Sequence, residues 1–219
     1  MEKAILFDLD GTLLYTLEDI ANATNATLRA FGLPERTLEE IRRMVGNGAR
    51  TQMQRAIGRE EPRFAEIYRF YQAYYPLHCR ETTRPYPGIL ELGSRLKELG
   101  YRLGIVSNKP DGATKALWRA FFPSFDYAQG ATEGIAIKPA PDMAWAALRA
   151  LDASPESSVY VGDSEVDLEL AQAANMPCIA VTWGYRDAAL LRQRGAKHLC
   201  SSVAEFLTVL KEAEQDHGQ

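Results

Sequence analysis

The chain has 219 residues, with 25 basic and 29 acidic side chains for a formal net charge of −4, and 46% of its residues are hydrophobic. That composition supports one sizeable buried core plus a smaller appendage, without need of disulfides or structural zinc. The lysines and arginines are scattered rather than massed, which argues against nucleic acid as a partner. The opening apolar run is interrupted at Asp8, too soon for a signal-peptide core, and no run approaches the roughly 18 apolar residues of a membrane span. Cys79, Cys178 and Cys200 are odd in number and lack CxxC spacing, so they read as reduced, buried thiols of a cytoplasmic protein.

In chain order, a first strand is predicted over residues 4–9. Residues 15–83 hold no strand pattern and several helical ones. Thr37-Leu38-Glu39-Glu40 is a capping box before Ile41, Met44 and Val45, and Glu61-Pro62 precedes a helix carrying Phe64, Ile67, Tyr68, Tyr71, Tyr74 and Tyr75. The stretch reads as an all-helical insertion, with Tyr68, Tyr71 and Tyr75 as its own core or, alternatively, a dimer contact. Pro85-Tyr86-Pro87-Gly88 suits a hinge at its end. Beyond it, helices are predicted over 89–99 and 143–151 and strands over 102–107, 158–162, 178–182 and, weakly, 198–200. Residues 212–219 are polar and read as frayed. Strands alternating with helices imply an α/β fold, a parallel sheet covered on both faces.

The chemistry concentrates at strand ends. In Phe7-Asp8-Leu9-Asp10-Gly11-Thr12, the i, i+2 carboxylates project together from a strand's carboxyl end, where open parallel sheets bind ligands. Adjacent carboxylates repel unless a cation or a proton intervenes, and Gly11 permits a sharp turn. Gly162-Asp163-Ser164-Glu165-Val166-Asp167 ends another apolar run and places two more carboxylates a helical turn apart, hard oxygen donors suited to Mg²⁺. Ser107-Asn108 and Lys138, also expected at strand ends, offer hydroxyl and ammonium donors for phosphoryl oxygens. Each segment has a plainer reading as a turn, a cap or an exposed lysine; the force of the pattern is joint.

Together these segments resemble the four motifs of the haloacid dehalogenase-like hydrolases: Asp8-x-Asp10-x-Thr12, Ser107, Lys138 in Lys-Pro-x-Pro-Asp, and Gly162-Asp163-x-x-x-Asp167. The chain is most similar within that superfamily to phosphoglycolate phosphatases, through Asp-Gly-Thr-Leu-Leu, Thr16-Leu17-Glu18-Asp19-Ile20 and Val45-Gly46-Asn47-Gly48-Ala49-Arg50. Tyr15 departs from the aspartate such sequences commonly carry, and Asn175 from their glycine, although asparagine tolerates left-handed backbone.

The resemblance implies a Rossmann-like, three-layer core over residues 1–14 and 84–219 and an inserted helical cap domain over 15–83. It implies a Mg²⁺-dependent phosphatase for a small phosphorylated metabolite, 2-phosphoglycolate first, acting as monomer or homodimer away from membranes. Asp8 would be the nucleophile and Asp10 the general acid and base. Asp8, Asp163, Asp167 and the backbone carbonyl of Asp10 would hold the metal. Thr12, Ser107, Asn108 and Lys138 would bind phosphate, and Asn47 and Arg50 in the cap would set specificity, Arg50 by gripping a substrate carboxylate. The alternatives are a sugar phosphomutase, a pyrophosphate- or nucleotide-directed hydrolase, and a phospho-accepting signalling receiver. The length, the insertion and Asp10 weigh against the receiver.

Overall fold

The computed structural model describes residues 2–217. Its centre is a six-stranded parallel sheet in the order β5-β4-β1-β6-β7-β8. The strands are β1 (Glu2–Phe7), β4 (Arg102–Pro110), β5 (Tyr127–Ala131), β6 (Ala153–Gly162), β7 (Cys178–Val181) and β8 (His198–Cys200). Side chains alternate between two buried faces. Ile5, Phe7, Ile105, Val159 and Ile179 join α5 (Ile89–Glu98), α6 (Asp111–Phe121) and α10 (Phe206–His217) in one core cluster. Ala4, Leu6, Val106 and Tyr160 join α7 (Asp142–Ala150) and α8 (Glu165–Ala173) in the other. The layers are those of the expected Rossmann-like α/β fold. Strand β5 escaped the sequence reading because Tyr-Ala-Gln-Gly-Ala has no β-branched residue and carries a glycine inside it.

The segment after β1 makes a two-residue strand β2 (Leu14–Tyr15), then four helices: α1 (Leu17–Ala30), α2 (Leu38–Met44), α3 (Gly48–Ile57) and α4 (Phe64–His78). It returns through β3 (Arg84–Pro85), antiparallel to β2. The Thr37–Glu40 capping box opens α2 as the sequence indicates. Outgoing and returning chains are fastened by Asp19 of α1, which is 1% exposed and accepts bonds from the Thr82 amide at 2.9 Å, the Thr82 hydroxyl at 2.6 Å and the Thr83 amide at 3.0 Å.

Two expectations are corrected or bounded here. The chain from residue 212 to His217 is not frayed but continues α10, because Ala213 is buried and Glu214 accepts from Tyr101 and Lys3. Residues 1, 218 and 219, the ends of the expected core unit, lie outside the described residues. Asn175 adopts φ +55° after α8, the left-handed conformation asparagine tolerates. Short α9 (Ala188–Gln193) completes the elements used below.

Removing the Asp19 carboxylate strands three donors near the chain crossing. Asp19→Ala should lower unfolding free energy by about 2 to 3 kcal/mol in urea denaturation, and Asp19→Asn by less, because it keeps an acceptor.

Candidate active site

Strand β1 ends at Phe7, and the Asp8 amide still bonds the Val161 carbonyl of β6, so Asp8 stands at the sheet's carboxyl edge. The chain then doubles back: Gly11 takes φ +86°, and its amide bonds the Leu14 carbonyl. A side chain at Gly11 would place Cβ 2.3 Å from Asp163 Oδ2, and one at Gly184 would come within 2.4 Å of the same carboxylate. The two glycines therefore let backbone close around Asp163 from both sides. Ser164 caps α8 in a reciprocal box with Asp167, which turns the Asp167 carboxylate inward.

Oxygens of Asp8, Asp163 and Asp167 lie within 4.8 Å of one another, and all three residues are buried. Lys138 Nζ meets Asp8 at 2.7 Å, Asp167 at 2.7 Å and the Tyr160 hydroxyl at 3.2 Å, which uses its three donors. Asp167 is fully engaged, accepting from Lys138, Tyr160 and both the amide and hydroxyl of Ser164. Asp163 accepts from the Tyr185 amide at 2.6 Å. One ammonium thus pairs with two of the three carboxylates. Burial pushes the Asp8 carboxyl up to about 7 despite the pull of Lys138, with Asp167 and Asp10 adding to the rise. Asp163 is held well above the carboxylate range by burial, then by Asp167 and Asp8. For Lys138, burial works against the charge, but Asp167 and Asp8 outweigh it and raise its pKa well above the usual value.

Asp10 is a separate unit. Its Oδ1 accepts from Thr16 at 2.6 Å and from Lys109 at 2.8 Å, and its Oδ2 accepts from Lys109 at 3.1 Å. Asp8 and Asp10 both line a cavity of about 40 Å³, with space for only a handful of water molecules. Ser107, Asn108 and Lys138 share its wall.

Several sequence expectations shift. Lys138 comes from the loop between β5 and α7 rather than from a strand end. It is set there by Asn108, whose Oδ1 accepts the Lys138 amide at 2.8 Å and whose Nδ2 donates to the carbonyls of Lys138 and Gly46. Both side-chain N–H groups of Asn108 are therefore spent on backbone carbonyls, and the side chain positions the lysine. Thr12 is buried with its hydroxyl unpartnered and lies outside the cavity wall. Asn47 precedes α3 and likewise stays off the wall, which its neighbours Gly46 and Gly48 join. Arg50 points away: it is exposed, with its guanidinium over Phe64 at 4.9 Å and Tyr68 at 5.6 Å. Helix α3 turns the next inward position, Gln52, to the cavity instead. Tyr15 packs edge-on against Tyr86 and Tyr185 under Arg84. Tyr71 and Tyr75, read as insertion core, are buried and also line the cavity.

Two charged wall residues were missed. Lys109 directly follows Ser107-Asn108, and a lysine closing an apolar strand was the available signal. Arg186 follows β7; it pairs with Glu165 at 2.9 Å and donates to the carbonyls of Arg42 at 3.1 Å and Val45 at 2.8 Å, while Arg42 donates back to the Tyr185 carbonyl. These two arginines join the helical segment to the sheet edge.

A model of the haloacid dehalogenase-like hydrolases matches residues 5–181. The chain belongs to that family. A phosphoglycolate phosphatase of Chromobacterium violaceum is 33% identical, the match covering 95% of this chain and 96% of that protein. Phosphoglycolate phosphatase 1 of Pseudomonas aeruginosa is 28% identical over 98% of this chain and 82% of its own length. Among solved structures, CbbY from Rhodobacter sphaeroides in complex with phosphate superposes with TM-score 0.78 at 31% identity, covering 96% of this chain and 100% of that one. A Lactobacillus delbrueckii subsp. bulgaricus protein provisionally named a phosphoglycolate phosphatase gives 0.88 at 32% identity, covering both chains fully. This family member is thus a phosphatase-type enzyme.

Lys138→Met removes the cation paired with the buried Asp8 and Asp167 carboxylates and should cost about 3 to 5 kcal/mol in chemical denaturation. Arg50→Ala, by contrast, should leave kcat/KM within about 2-fold and cost at most about 1 kcal/mol, the worth of an exposed cation–π contact.

Proposed function

We propose that the protein is a Mg²⁺-dependent phosphatase that hydrolyses a small phosphomonoester, 2-phosphoglycolate first among them, through an aspartyl-phosphate on Asp8. The observation carrying this reading is the buried cluster of Asp8, Asp163 and Asp167 with a single ammonium among them. The donor set fits the ion: the oxygens are hard, close together and short of positive charge, and Asp8 and Asp163 carry the raised pKa values that a cation would reverse. Asp8 and Asp163 would hold Mg²⁺ directly, with Asp167, whose oxygens are taken, behind them. When bound, the ion offsets repulsion between the attacking carboxylate and the phosphate dianion.

The remaining chemistry falls to side chains. An Asp8 oxygen attacks phosphorus, the bond from phosphorus to the ester oxygen breaks, and Asp10 gives its proton to the departing alkoxide. Asp10 then takes a proton from water, the water oxygen attacks phosphorus, and the bond to Asp8 breaks to release inorganic phosphate. Ser107 supports a phosphoryl oxygen, and Lys138 fixes the Asp8 carboxylate. The helical segment, residues 15–83, serves as the cap that shields these steps from bulk water. The phosphoglycolate phosphatases among the relatives support a small leaving group rather than a sugar or nucleotide.

A phosphate-release screen should show turnover of 2-phosphoglycolate above glucose 6-phosphate and nucleoside monophosphates. Asp8→Asn should abolish it with native circular dichroism, and EDTA should abolish it until Mg²⁺ is restored. Full turnover by Asp8→Asn would remove the covalent route.

A further inference from the structure

The cavity wall holds three cationic side chains, and their donors are unequally spent. Lys138 has used all three of its N–H groups on Asp8, Asp167 and Tyr160. Arg186 bonds Glu165 and two backbone carbonyls of the helical segment. Lys109 differs. Its side chain is 2% exposed, and two of its donors go to the two Asp10 oxygens. An ammonium carries three donors, and the third meets no oxygen or nitrogen acceptor among the described residues, only the face of the Tyr75 ring, a weaker partner than a carboxylate. The Tyr75 ring lies 4.6 Å from the ammonium and confines it, and the Tyr75 hydroxyl, also buried, has no partner either. Leaving a charged donor unfilled in a buried site is costly unless an incoming group completes it.

We propose that Lys109 is the specificity-determining residue for the leaving group, taking with its third N–H a carboxylate carried on the carbon next to the ester oxygen. This rests on the phosphatase reading above. In that reading Asp10 faces the departing oxygen, and Lys109 bonds both Asp10 oxygens, so the ammonium sits on the leaving-group side of phosphorus rather than on the nucleophile side. A carboxylate one carbon from the ester oxygen lies within reach of that position. An ester with a neutral substituent there leaves the donor unfilled, and one with a longer chain places its charge beyond it.

The test compares 2-phosphoglycolate with its carboxyl methyl ester, which keeps the phosphoester and removes the charge. Wild type should favour the free acid in kcat/KM. Lys109→Met should lower activity on both, through the lost Asp10 contact, but shrink the preference for the free acid by about 10- to 100-fold, the worth of a charged hydrogen bond. Lys109→Arg should restore most of the preference. An equal loss on both substrates, with the preference intact, overturns the assignment and makes Lys109 only a support for Asp10. Wild type inactive on both esters and on the wider panel would instead remove the phosphatase reading itself, and wild type without preference for the acid would remove the carboxylate subsite.

Discussion

The structure is organised around unbalanced buried charge. Three carboxylates close at the carboxyl edge of the sheet, one ammonium pairs with two of them, and a protein interior tolerates such a cluster only where a cation or a proton offsets the charge. Much of the surrounding architecture keeps that arrangement in place. Strand β1 delivers Asp8, the α8 capping box turns Asp167 inward, and the two glycines flanking Asp163 allow backbone to approach where a methyl group would not fit.

The two aspartates of the first motif, two residues apart, have been given different work by their partners. Asp8 belongs to the cluster around Lys138, whereas Asp10 turns to Thr16 and Lys109. A pair of like groups with separate environments is the pattern by which one site can hold a nucleophile beside a proton carrier. The separation depends on two lysines from different segments, one from the end of β4 and one from the loop before α7.

How legible this was follows from the range of each interaction. The parallel sheet, the helical insertion and the acidic motifs are written in local patterns: apolar runs, capping boxes and carboxylates at strand ends. Helix α10 was misread because its polar surface conceals one buried alanine and a long-range bond from Tyr101 to Glu214. The arginine in the helical segment was misassigned for a similar reason. Spacing places Arg50 on α3 near the site, but the rotation of that helix, fixed by its packing, sends the side chain to Phe64 and Tyr68. Lys109 and Arg186 take their places through partners distant in sequence, Asp10 99 positions from the lysine and Arg42 144 from the arginine, which no local pattern encodes.

The contact between the helical segment and the sheet edge has a further property. Arg186 and Arg42 grip each other's elements through neutral backbone carbonyls, and Asn108 reaches Gly46 in the same way. Dissolved ions weaken attraction between opposite charges in proportion to both, and a carbonyl dipole offers them little to screen. Apart from the exposed Arg42–Asp187 pair at 3.9 Å, this fastening therefore responds only weakly to ionic strength, whereas the same ions act fully on any charged molecule approaching from outside.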